Sequence, residues 1–76
     1  MNDMNDGHWA MLAGAIVEQA MKDYRLALSG LKRNPNSTIF QRQRKELEDF
    51  FRSQWYRDLT NIDGEKLMHE MQEEYL

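Results

Sequence analysis

The sequence predicts an all-α fold, a small three-helix bundle with a short fourth helix near residues 53–59. Two observations carry that expectation. Apolar residues recur at three- and four-residue intervals over three long stretches, the pattern of a buried helical stripe. Stop and cap residues divide those stretches, first Asn34-Pro35-Asn36-Ser37 and then Thr60-Asn61-Ile62-Asp63.

In the first stretch Trp9, Leu12, Ala13, Ile16, Val17, Ala20, Tyr24, Ala27, Leu28 and Leu31 share one helix face. Asp6 is placed to cap its start. Glu18 precedes Lys22 by one turn in the favourable order. Lys32 and Arg33 fall in the last turn, where the helix dipole favours cations. Asn34 then precedes proline, which pushes it out of the α region and ends the helix. Gly14, beside the stripe, marks the close approach of another helix, while Gly30 weakens the final turns.

The second helix begins at Ser37 or Thr38, either of which can cap it. Ile39, Phe40, Leu47, Phe50, Phe51 and Trp55 form its buried side, with Gln43 filling the gap. A turn this short makes the first two helices antiparallel neighbours. Ser53 is placed to cap a separate helix over Gln54–Leu59; an unbroken second helix to Leu59 is the alternative, because Phe51, Trp55 and Leu59 keep helical spacing. The last helix starts in a capping box, with Thr60 as cap and the Asp63 carboxylate three residues on. Its buried side is Gly64, Leu67, Met68, Met71 and Tyr75, the glycine admitting a ring of Trp55 or Tyr56.

A chain of 76 residues makes one helical domain (1–76), and residues 1–6 read as a disordered lead. A single core of that size supplies only about 3–5 kcal/mol, and without cysteine there are no disulfides to add to it. Self-association into a homodimer is one way to bury more. No apolar run approaches the roughly 18 residues of a membrane span. The acidic, polar start lacks the basic region of a secretory signal, and absence of cysteine suits the cytoplasm.

Net charge is −3, unevenly spread. Residues 22–45 hold seven bases against one acid, while residues 46–76 hold nine acids against three bases. Two charged surfaces follow. Glu65, Glu70, Glu73 and Glu74 give the last helix a negative side that imitates nucleic acid toward a basic groove. Lys32, Arg33, Arg42, Arg44 and Lys45 give the end where the first two helices meet a positive patch for phosphates. The second makes direct nucleic-acid binding the alternative reading, against an overall acidic chain. The aromatic group offers a third surface. Phe50-Phe51 and Trp55-Tyr56 are adjacent pairs whose members diverge by about 100° on a helix, so one narrow stripe cannot hold them all. Trp55 and Tyr56 are the rings expected to stay available to a partner.

Chemistry is sparse. Glu65, His69 and Glu73 align at four-residue steps, but one histidine between two acids does not make a closed metal site, and His8 reads as a surface residue. Ser29, Ser37 and Ser53 lack a nucleophile elbow or a nearby base. The four glycines are scattered and build no phosphate-cradling loop. No cofactor, metal or catalytic residue is expected.

One phrase carries a resemblance: Phe50-Phe51-Arg52-Ser53-Gln54-Trp55-Tyr56, then Leu59-Thr60 and Ile62-Asp63-Gly64. With Ala15-Ile16-Val17-Glu18-Gln19-Ala20 and Asp23-Tyr24-Arg25, it resembles small helical proteins encoded in prophages of Gram-positive bacteria, over most of the chain after residue 10. That group has no assigned activity, so no catalytic residue comes with it. The resemblance implies a phage accessory protein in the host cytoplasm, and hence a non-enzymatic inhibitor of host machinery such as a CRISPR-type nuclease or another nucleic-acid enzyme.

Overall fold

The computed structural model describes residues 7–75, so the Asp6 cap and the disordered lead lie outside the described residues. Four helices follow one another: α1 (Gly7–Arg33), α2 (Thr38–Phe51), α3 (Gln54–Leu59) and α4 (Gly64–Glu73). Among the described residues there is no strand. Among the described residues no helix is long and apolar enough to cross a membrane.

Ends of the helices follow local chemistry. Asn34 donates its N–H to Gly30 at 2.8 Å before the turn, and the Ser37 hydroxyl accepts from the Phe40 N–H at 3.2 Å to start α2. Gly30 does not fray α1. It is buried, and its missing side chain lets the Phe40 ring lie on the α1 backbone. The second break is built by Ser53, whose Oγ accepts from the Tyr56 N–H at 3.1 Å and donates to the Phe50 carbonyl at 2.6 Å. Here α2 and α3 are separate helices.

The cap of the last helix differs from the sequence expectation. Asp63, not Thr60, is the N-cap, and its carboxylate accepts from the N–H groups of Glu65 and Lys66 at 2.9 and 3.3 Å. A carboxylate directly before the first turn meets two of the N–H groups that the helix leaves unpaired. Thr60 instead closes its own small turn, accepting from Ile62 N–H at 3.2 Å.

The core is a cluster of rings with aliphatic and Met side chains around it. Phe51 meets Tyr24 and Tyr56 edge-on at centroid distances of 5.6 and 5.5 Å, and Phe50 meets Phe51 and Tyr56 at 5.4 and 5.7 Å. Ala13, Val17, Leu28, Leu59, Met68 and Met71 complete it. Several expected core residues lie outside. Leu12 and Ile16 are exposed because α2 ends alongside Tyr24 and leaves the first half of α1 without a neighbour on that side. Ile39 is exposed because the adjacent Phe40 takes the Gly30 seat on the other side of the first turn.

Gly14 has open space where its side chain would be, so no helix approaches it closely, contrary to expectation. Its backbone is not in the left-handed region. Gly14→Ala should therefore raise stability by about 0.8 kcal/mol through helix propensity alone, read as a higher urea midpoint with an unchanged slope.

Candidate interaction surface

Each sequence-proposed contact residue occupies a defined place. On α4, Glu65 pairs with Arg52 beyond the end of α2. Glu73 lies 3.3 Å from His69 Nε2, an ion pair only when the imidazole is protonated, and Glu74 clasps Arg25 of α1 through Nε at 2.9 Å and Nη2 at 3.3 Å. Glu70 is exposed and has no partner among the described residues. Two of the four acids, Glu65 and Glu74, are thus tied to arginines.

At the positive end, Arg44 pairs with Glu48 at 2.8 Å and Lys45 with Asp49 at 3.1 Å, both within α2. Lys32, Arg33 and Arg42 are exposed with no acidic partner among the described residues. Antiparallel α1 and α2 bring these three cations to one end of the molecule.

Of the two proposed rings, the structure separates one from the other. Trp55 is 49% exposed, whereas Tyr56 is 1% exposed and belongs to the core. The expectation that Tyr56 faces a partner is therefore corrected. The cause is the Ser53 break: α3 starts afresh, and its inward positions become Tyr56 and Leu59, which leaves Trp55 outward. Burial pushes the Tyr56 phenol up, with the Asp63 carboxylate adding to it, and the hydroxyl has no hydrogen-bond partner among the described residues.

Sequence reasoning missed a polar junction under the surface. The Tyr24 ring is fully buried, and its hydroxyl donates to Glu48 Oε2 at 2.7 Å and accepts from Gln72 Nε2 at 2.8 Å. Arg44 Nε donates to the same Glu48 oxygen at 2.8 Å. Burial opposes ionisation of Glu48, but the Arg44 and Tyr24 hydrogen bonds outweigh it and hold the carboxyl below the ordinary glutamate range. Tyr24 is pushed up by burial, Gln72 working against that and Glu48 with it. The signal was legible in principle, since Glu48 shares a face with Arg44 and Phe51, and Gln72 with Met68 and Tyr75.

Open clefts of about 290 to 610 Å³ lie between the helices. One of about 610 Å³ runs along the first half of α1 beside Leu59 and Ile62 and is mostly apolar. Among the described residues, no group of three His, Asp or Glu side chains converges as a metal ion requires. Comparison with protein-family models, with curated proteins and with solved structures finds no match to this chain.

Proposed function

We propose that this chain is a non-enzymatic phage accessory protein that works by protein–protein contact in the host cytoplasm, inhibiting a defence or other nucleic-acid enzyme of the host. The setting rests on the sequence resemblance alone, carried by Phe50-Phe51-Arg52-Ser53-Gln54-Trp55-Tyr56 and the residues after it. The contact itself rests on one observation, that the fold leaves large apolar side chains uncovered. Trp55 stands at 49% exposure on a six-residue helix whose inward positions are taken by Tyr56 and Leu59. Tryptophan is among the residues most enriched where binding energy concentrates. The apolar version of the contact is preferred over the acidic one because Glu65 and Glu74 already pair with arginines. Self-association as a homodimer belongs to the same reading.

Affinity capture from host lysate with wild-type and Trp55→Ala chains, at low and high salt, tests it. A host enzyme retained at both salts and weakened at least about tenfold by Trp55→Ala is the expected result. Capture that high salt abolishes would move the contact to the charged residues, and no specific capture would overturn the reading.

The alternative, direct nucleic-acid binding, is favoured by the unpaired state of Lys32, Arg33 and Arg42. A gel-shift titration at low salt decides it. Retention of DNA or RNA at micromolar protein selects this reading, and its absence removes it.

A further inference from the structure

We infer that the cleft where the end of α1, the start of α2 and the last turn of α4 meet holds an unpaired nucleotide of a single-stranded nucleic acid. This rests on the second reading above, direct nucleic-acid binding, and gives it a site and a strand preference. The cleft has a volume of about 510 Å³, within the roughly 300–1,000 Å³ of small-ligand sites. Leu28, Leu31 and Pro35 supply apolar walls, and Tyr75 adds a ring. The charged groups lining it are Lys32 and Arg44, with no acid among them. Lys32 has no acidic partner among the described residues, and Arg33 and Arg42 share its end of the molecule.

The polar groups are set in place by the fold itself. Glu48 fixes the Arg44 guanidinium through Nε at 2.8 Å without lining the cleft. Gln72 donates to the Tyr24 hydroxyl at 2.8 Å, and Gln41 to the Pro35 carbonyl at 2.9 Å. Each amide is thereby oriented, and its carbonyl oxygen has no partner among the described residues. Chemistry of this kind selects its occupant. Apolar walls with a ring take a flat base by stacking. A carboxamide offers a donor and an acceptor side by side, which a base edge answers. Lysine and arginine take the phosphate, and the neighbouring cations meet the next ones along the strand. A hydrocarbon anion would use the walls and the cations but leave both amides unpaired and shielded from water, at a cost. A duplex keeps its bases stacked inside, so only its phosphates could reach this end.

Fluorescence anisotropy of the full chain at low salt, with a labelled short oligothymidylate and with a duplex of the same length, is the test. The single strand is expected to bind at least about tenfold more tightly than the duplex. Tyr75→Leu and Gln41→Leu should each weaken the single strand about tenfold and leave the duplex unchanged. Lys32→Gln should weaken both, and lower the slope of log affinity against log salt by about 0.7 for the single strand. Circular dichroism checks that each variant keeps its helices. In the wild-type chain the side-chain amide signals of Gln41 and Gln72, read by nitrogen–proton correlation NMR, should shift as oligothymidylate is added, a readout that needs no substitution. Equal affinity for strand and duplex overturns the inference and leaves direct nucleic-acid binding standing. So does unchanged strand binding by the folded Tyr75→Leu and Gln41→Leu chains, or amide signals that stay in place while the strand binds. Retention of neither nucleic acid overturns both.

Discussion

Gly64→Ala should cost about 3 kcal/mol, most of the ~3–5 kcal/mol that a single core of this size supplies. A side chain at Gly64 would overlap the Phe51 carbonyl oxygen and come within 3.3 Å of Tyr56 Cε2. Neither neighbour can yield. The carbonyl is backbone at the end of α2, and the Tyr56 ring is fixed by edge contacts to Phe50 and Phe51. Relief requires α4 to slide, which would pull Met68 and Met71 out of the core. Thermal unfolding should show a midpoint lowered by roughly 12–24 °C. Gly14→Ala, the same chemical change where space is open, moves the midpoint the other way. If both substitutions act alike, the close packing at Gly64 is not what holds α4.

Tyr24→Phe has the second largest expected effect, a loss of about 2 kcal/mol at neutral pH. The change leaves the ring and removes one oxygen, stranding Gln72 Nε2 and taking a donor from Glu48. Its pH dependence identifies the mechanism. The folded Glu48 carboxyl is held below its ordinary value, so its stabilising share is fully present above the ordinary glutamate range. That share disappears as pH falls through the folded value. Without the Tyr24 hydroxyl the depression shrinks, and the variant should lose less on acidification than wild type does. Urea midpoints measured across the acid range provide the comparison. Parallel curves would mean that the hydroxyl does not act through Glu48.

Most of the helical framework was written in stop and cap residues. The turn at Asn34-Pro35-Asn36 and the caps Ser37 and Ser53 act within a few residues of themselves, so reading them needs no tertiary knowledge. The last cap was misassigned because Thr60 and Asp63 can each accept from an N–H, and only the path of the loop chooses between them. Periodicity identified which side of a helix is apolar but not how far its neighbour extends. Leu12 and Ile16 satisfy the same spacing as Val17, yet they stay exposed while Val17 is buried. The contact surface was harder still. Sequence gives the charge of Glu74, whereas its pairing with Arg25 joins positions 49 residues apart. Such a pairing exists only once the chain has folded.

The two-residue link at Arg52–Ser53 has a consequence for how this surface can change. Each helix keeps its own angular phase, and the link sets the offset between them. Adding one residue there, with the rest of the fold held, would move every α3 side chain on by one position, about 100° round that helix. An indole would then be hidden and a phenol displayed, with no ring replaced. Length variation at one joint, rather than substitution, is the shortest route by which this scaffold could acquire a different binding preference.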